Sequence, residues 1–477
     1  MTEYLFPKKI IAYEGVKNAE NLLIKQDLQV SFVNTQLTIF EKGGYVILDF
    51  GKELCGTIRI LTLFSDKTKV HIRFGESLTE CCSDIGCDKN ATNDHALRDF
   101  ESVLPCYSDT TFSDSGFRFV RLDFSDKIEI KTIVAINKIL KKKAIFKYNG
   151  PDKLIKQIYN VAKRTVNLCA SSGYVWDGIK RDRAVWIGDM HPEALALTTL
   201  YGKVKELEKS LDFVKTQTPL PNWMNDFPMY SMWWIIIIAD YYTATKENEF
   251  INRQLDYLQE LIAHMNNCVS EDGKLNYPSY FVDWPTHKKP EELDGARAIN
   301  LYAINKAIQL LKEFNLNTAE AEHLREKLLK IEINPHASKQ VTALKYMATG
   351  TLTEEDKSCL IKDGAKGMST FMSYYILKAV ASFDKETAIS MMKEYYGAML
   401  EKGATTFFED FDIEWAENSC RIDEFPTKNQ KDIHGDFGAH CYVGFRHSLC
   451  HGWSTGVLQF IKEECNQQLV LTALSLL

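Results

Sequence analysis

The run Asn149-Gly150-Pro151-Asp152-Lys153-Leu154-Ile155 divides the chain. Its first three residues form turns readily, and Asp152 ahead of an apolar-periodic segment is a helix N-cap signal. Upstream the pattern is that of strands. Tyr45-Val46-Ile47-Leu48-Asp49-Phe50 and Gly56-Thr57-Ile58-Arg59-Ile60-Leu61 are short and rich in β-formers. Val70-His71-Ile72-Arg73-Phe74, Phe117-Arg118-Phe119 and Lys127-Ile128-Glu129-Ile130-Lys131 alternate apolar and polar residues, as strands with one buried face do. Residues 1–147 therefore predict an antiparallel β-sandwich domain. The polar stretch from about Ser77 to Leu97 reads as a long loop that could reach toward a neighbouring domain.

Downstream the period changes. Leu154, Ile155, Ile158, Val161 and Val166 recur at helical spacing. Further helical windows fall at residues 190–201, 203–215, 230–244, 247–266, 294–313, 318–332, 339–349, 354–363, 368–382, 385–401 and 452–464. An even number of similar helices with short connections suits a solenoid of helical pairs or a closed barrel of hairpins. No fixed sequence period appears, which argues against a regular solenoid. Residues 148–477 thus predict a mainly α domain.

Composition excludes several function classes. The 477 residues carry a net charge of −7 with no Lys/Arg-rich tract, so neither nucleic acid nor an anionic membrane is an expected partner. The longest apolar run, about Met232 to Ala239, is far short of a membrane span. Met1 to Ile10 has no long apolar core of the kind a signal peptide carries. Twelve cysteines include no C-x-x-C pair, so neither a zinc site nor another metal is expected. Cys81, Cys82 and Cys87 could bind a metal, but read rather as reduced thiols in a polar loop. Free thiols and no export signal predict a cytoplasmic protein. The sequence leaves a homodimer open.

The chemistry concentrates in Trp176-Asp177-Gly178-Ile179-Lys180-Arg181-Asp182-Arg183-Ala184-Val185-Trp186-Ile187-Gly188-Asp189. Burial raises a carboxylate pKa and a neighbouring Arg lowers it, and sites that need one acid and one base use that competition. A structural ion-pair network around a buried Trp is the plainer reading of such a composition. Two later clusters weigh against it: Thr405-Thr406-Phe407-Phe408-Glu409-Asp410-Phe411, and Ser448-Leu449-Cys450-His451-Gly452-Trp453-Ser454. All eight tryptophans lie in the helical part, and several stand beside carboxylates: Trp223 near Asp226, Trp284 after Asp283, Trp415 after Glu414. An indole packs on the C–H face of a sugar while carboxylates accept its hydroxyl hydrogen bonds. Trp233 and Trp234, on an apolar helix, read as core. Glycoside hydrolysis needs two carboxyl groups flanking the scissile bond, and these clusters supply candidates.

At this point a resemblance becomes specific. The Asp177–Asp189 segment resembles the signature of the bacterial α-L-rhamnosidases, the inverting glycoside hydrolase family 78. Gly403-Ala404-Thr405-Thr406-Phe407-Phe408-Glu409 and the His451 cluster are similar to two later motifs of that family. Leu48-Asp49-Phe50-Gly51 and Gly116-Phe117-Arg118-Phe119-Val120 resemble motifs of its β-sandwich. The resemblance implies an (α/α)6 barrel (a six-hairpin glycosidase fold) preceded by the sandwich. It implies Glu409 as general base and, within Arg181-Asp182-Arg183, Asp182 as general acid. Asp177, Arg181, Trp186, Asp189 and His451 match residues that contact the sugar, and Trp284 is similar to a tryptophan lining its pocket. The implied activity is removal of terminal α-L-rhamnose from small rhamnosides, without a cofactor. Many members read Arg-Asp-Glu-Arg with the Glu as acid, whereas this chain is one residue shorter there and has Phe408 where Trp is common.

Other readings stand beside these. Asp226 is a further candidate sugar-binding carboxylate and an alternative acid. Asp189 also reads as an N-cap, with Pro192 in the first turn of the next helix. Arg181 and Arg183 would lower the Asp182 pKa, so a working acid needs shielding from at least one of them. His451 alone would read as a core histidine. A related hydrolase for another sugar, or an inactive carbohydrate-binding protein, are the alternative functions.

Overall fold

The computed structural model describes residues 2–31, 33, 35–65, 67–439 and 443–466. Eight strands come first: β1 (Thr2–Leu5), β2 (Lys9–Lys17), β3 (Thr38–Ser65), β4 (Thr68–Gly75), β5 (Asp99–Leu104), β6 (Asp109–Thr111), β7 (Ser115–Phe124) and β8 (Ile128–Lys138). They form one continuous antiparallel sheet, in the order β1-β8-β3-β7-β4-β5 with β2 and β6 both on β3. The expected sandwich of two sheets is therefore a single sheet folded over its own core. The cause is β3, 28 residues long. Its first half pairs with β2, and its register with β7 breaks between Asp49 and Leu54. Its second half pairs with β6 and β8. Phe40, Val46 and Leu48 from one half meet Ile58 and Ile60 from the other in one buried cluster.

The stretch 77–97 is not wholly irregular. Ser77 accepts a hydrogen bond from the Glu80 N–H and starts the one-turn helix α1 (Leu78–Cys81). The remainder runs across to the helical part, as described below.

Helices follow β8. They are α2 (Lys153–Cys169), α3 (Met190–Tyr201), α4 (Lys205–Gln217), α5 (Pro228–Thr245), α6 (Asn248–Asn252), α7 (Leu255–Asn267), α8 (Glu291–Glu313), α9 (Ala319–Leu328), α10 (Lys339–Thr349), α11 (Glu354–Ile361), α12 (Ser373–Ala381), α13 (Lys385–Glu401) and α14 (Val457–Glu464). The predicted window 247–266 is two helices, α6 and α7, broken at Arg253 and Gln254. Asp152 caps α2 as expected, accepting from the N–H groups of Leu154 (2.9 Å) and Ile155 (3.1 Å).

Six helices touch in a closed cycle: α3 on α5, α5 on α8, α8 on α10, α10 on α12, α12 on α14, and α14 back on α3. Sequence explains why α5 belongs inside. Met229 to Ala239 is buried without a break, and a helix apolar all round must be enclosed. Around the cycle lies a second layer, with α9 on α8, α11 on α10 and α12, and α13 on α12 and α2. Its members are one-sided. Helix α2, for example, buries Ile155, Ile158, Ala162 and Val166 but exposes its lysines at 153 and 156.

The β part and the helical part meet across apolar and polar contacts. Cys55 and Ile139 pack with Leu168, Cys169, Ile179 and Cys450. On β7, Arg118 holds Asp49 through two 2.9 Å hydrogen bonds and reaches Asp423 at 3.2 Å, with its guanidinium nearly buried. Breaking a buried pair leaves one charge uncompensated, at roughly 3–5 kcal/mol. Arg118→Met should therefore lower the unfolding free energy in urea by about 3 kcal/mol. A loss under ~0.5 kcal/mol would show this seam to be energetically idle.

Candidate active site

The connections leading into α3, α5, α8 and α14 converge on one cavity of about 190 Å³. Its wall takes Asp177, Asp182, Trp186 and Asp189 from the first connection, and Phe227 and Tyr230 from the start of α5. Phe281, Trp284 and His287 come from ahead of α8, and Trp453 from ahead of α14. Larger hollows of about 530 and 390 Å³ lie elsewhere on the helical part, away from every residue of the three motifs.

Short polar contacts set the first connection. The Asp177 carboxylate accepts from the N–H groups of Asp182 and Ala184, each at 2.9 Å, closing residues 177–184 into a tight loop. Asn225 clamps the next step, accepting from the Ile187 N–H at 3.0 Å and donating to the Val185 carbonyl at 3.1 Å. Gly188 is required by packing: a Cβ there would lie 2.2 Å from the Tyr230 ring. Asp189 stands at the start of α3, yet its side chain caps nothing. The N-cap expectation fails because the carboxylate turns toward the cavity, where the Tyr230 hydroxyl donates to it at 3.3 Å.

One guanidinium joins the two candidate catalytic carboxylates. Arg181 donates from Nη1 to Asp182 Oδ1 at 3.0 Å and from Nη2 to Glu409 Oε1 at 2.9 Å. Glu409 Oε2 accepts from the Ser448 N–H at 2.7 Å, and the Glu409 N–H donates to the Ser448 carbonyl at 2.9 Å. The Trp453 indole N–H donates to the Glu409 carbonyl at 2.8 Å. Asp182 Oδ2 accepts from the Trp186 indole at 3.1 Å. Arg183 turns away, donating to the Asp114 carbonyl at 3.1 Å with its guanidinium over the Trp176 ring. Asp182 is thus shielded from one arginine and bound to the other.

Burial shapes the charges. It pushes Asp177 up to about 7. It also drives Asp189 well above the carboxylate range, helped by the negative charges of Asp177 and Glu409. His451 is lowered to about 3, by burial and then by the Arg181 charge, so it is neutral near pH 7. Its Nε2 lies 3.5 Å from Glu409 Oε1 and 3.8 Å from a carboxylate oxygen of both Asp177 and Asp189. Asp177, Asp189 and His451 offer ligand atoms close enough together for a cation, as do Glu76, Glu80 and His434. In the second group the Lys180 ammonium stands between the two glutamates.

Of the residues singled out from sequence, Asp177, Asp182, Trp186, Asp189 and Trp284 line the cavity. Arg181, Glu409 and His451 are buried directly behind it. Asp226 does not join them; its side chain is exposed and its backbone has φ +64°. Phe227, Tyr230, Phe281 and His287 escaped the sequence reading, since nothing separates an aromatic that faces a cavity from one that faces core. Glu193 on α3 escaped too. It is wholly buried, driven well above the ordinary range by that burial, and its carboxyl fills the space beside Gly452 where a Cβ would stand.

No family model matches the sequence, and no curated protein matches it. Solved structures do. The rhamnosidase from Klebsiella oxytoca with rhamnose bound aligns with 97% of this chain and 96% of its own, at TM-score 0.72 and 17% identity. The GH78 family rhamnosidase of Bacillus sp. GL1 aligns with 93% of this chain at TM-score 0.69 and 17% identity. The Streptomyces avermitilis α-L-rhamnosidase complexed with L-rhamnose aligns with 90% at 0.63 and 13%. The chain spans about half the length of the Bacillus and Streptomyces proteins, 48% and 44%.

Asp283, beside Trp284, gives a test of this electrostatic picture. Burial raises it from 3.8 to about 7, against hydrogen bonds from Ser369 and the Trp284 N–H that lower it. With the folded value raised, its contribution to stability is complete below about pH 4 and is lost as pH rises through about 7. Urea unfolding of Asp283→Asn against wild type should show a difference that moves in the variant's favour between about pH 4 and about pH 7. A difference independent of pH would refute the raised value. Over nearly its whole length, the chain has the fold that these α-L-rhamnosidases share.

Proposed function

We propose that this protein is a glycoside hydrolase that releases terminal α-L-rhamnose from small rhamnosides with inversion. Asp182 would protonate the departing oxygen and Glu409 would deprotonate the attacking water. The observation that carries this reading is the pair of carboxylates joined through Arg181 beside an aromatic-walled cavity. Two hydrogen bonds laid across one guanidinium span at most ~8 Å, which is compatible with the ~6.5–9.5 Å that admits a water between acid and base. Each oxygen of Glu409 holds a donor, Arg181 on one and the Ser448 N–H on the other. Asp182 Oδ2 is held by the Trp186 indole, and both residues line the cavity.

The remaining parts fit a sugar. Trp186, Trp284 and Trp453 give flat apolar faces, and Asp177 and Asp189 give acceptors for hydroxyls. A cavity of about 190 Å³ suits one monosaccharide unit and hence exo action. The closed cycle of six helices with its outer layer is read as an (α/α)6 barrel, with residues 148–477 as the catalytic domain and 1–147 as a domain preceding it. Small imported rhamnosides in the cytoplasm would be the natural substrates.

Hydrolysis of p-nitrophenyl α-L-rhamnopyranoside should fall by ~10²–10⁴ in Glu409→Gln, and by less in Asp182→Asn because the activated leaving group needs little protonation. NMR of the first product should show the β anomer. Full activity of Glu409→Gln, or release of the α anomer first, would sink the mechanism. Rhamnose binding by a wild type that hydrolyses no glycoside would point instead to a carbohydrate-binding protein.

A further inference from the structure

Asp182 also receives a contact from the β part. His95, between α1 and β5, places Nδ1 3.3 Å from Asp182 Oδ1 and 3.3 Å from the Asp182 carbonyl oxygen. A carbonyl oxygen only accepts, so Nδ1 carries the hydrogen. Its donation ties the Asp182 carboxyl to its own backbone.

The loop that presents His95 is fastened at several points. Arg98, buried at its far end, donates to the carbonyls of Glu80 (3.0 Å) and Ser83. Asn93 accepts from the N–H groups of Arg98 and Asp99 and donates to the Asp99 carbonyl. Its contacts with the helical part include Lys89 to Asp436 at 2.9 Å, the Phe445 N–H to the Lys89 carbonyl at 2.8 Å, Asn90 to the Val443 carbonyl at 3.1 Å, and Asp94 to Arg446 at 3.1 Å. At its tip His95 has φ +67°. A non-glycine residue in this region is strained and persists only where its surroundings impose it.

We propose, resting on the reading of Asp182 as general acid, that His95 is the positioning residue for that acid. Arg181 and His95 both donate to Oδ1, whereas among the described residues Oδ2 receives the Trp186 indole alone. An oxygen holding two donors, one of them charged, stays an acceptor. The acid proton therefore resides on Oδ2, the oxygen beside Trp186, which is itself part of the cavity wall. Without His95, Oδ1 keeps the Arg181 donor but loses its second one, and the carboxyl is held less firmly with its proton on Oδ2.

Leaving groups tell this role from a structural one. An alkyl rhamnoside needs the acid proton, whereas 2,4-dinitrophenyl rhamnoside departs without it. His95→Ala should lose about tenfold in kcat/KM on the alkyl rhamnoside and less than about twofold on the dinitrophenyl one. His95→Asn, whose amide N–H can stand in for Nδ1–H, should recover most of the loss. Melting temperatures of both variants within about 2 °C of wild type would confirm that they fold alike. Equal losses on both substrates, no loss on either, or Asn no better than Ala would overturn the proposal while leaving the function standing. A wild type that turns over neither substrate would overturn both.

Discussion

The Lys180 ammonium is wholly enclosed, 3.0 Å from Glu76, 3.1 Å from Glu80, and donating to the Phe445 and His447 carbonyls at 2.8 Å each. Burial by itself would lower its pKa, but the two carboxylates outweigh burial and hold it above the ordinary lysine value. Glu76 in turn accepts from the Ser448 hydroxyl (2.9 Å) and the Leu449 N–H (2.6 Å). Three distant stretches are thereby fixed to one cation. They are the end of β4 with α1, the 177–189 connection, and the 445–451 segment. Arg181 and Asp182 follow Lys180 directly, and Ser448 holds Glu409. The placement of both candidate catalytic carboxylates thus passes through this one cluster.

Removing a single partner would leave charge stranded where water cannot reach it. Glu76 already shows the tension: despite the lysine, burial and the Glu80 charge leave it raised to about 7. Arg118 with Asp49 repeats the arrangement at the other side of the seam. A run of buried charges with nearly complete pairing specifies register more than it adds stability, and here the register is that of the β part on the helical part.

Much of this was legible in the sequence, and for physical reasons. The change of period at Gly150 and Pro151 needs only local patterning, as does the enclosure of α5. The crowding of carboxylates, arginines and tryptophans at 176–189 pointed to the candidate site only together with the two later clusters, because alone such a composition reads more plainly as a structural ion-pair network. What escaped depends on distance. The bend that lets β3 serve both halves of its sheet is a long-range pairing outcome. Asp189 looked like a cap because capping is local, but a tertiary partner, Tyr230, claimed it. His95 lies in a loop whose sequence is merely polar, and nothing in it names a residue 87 positions later as its target. Asp226 shows the converse: a carboxylate near a tryptophan in sequence that the fold turns outward.

The candidate site lies on the seam between the two cores. Asp182 hangs from the helical side but is braced by a histidine of the other. Turnover by the proposed hydrolase would then report on the seating of one part against the other. Effective catalytic geometry tolerates little error, since a displacement of ~1 Å can cost about 10²-fold. Heat or mild denaturant that merely loosens the seam would silence the protein while both cores kept their secondary structure. Inactivation would precede melting, and a ligand gripping both sides would delay the first without needing to alter the second.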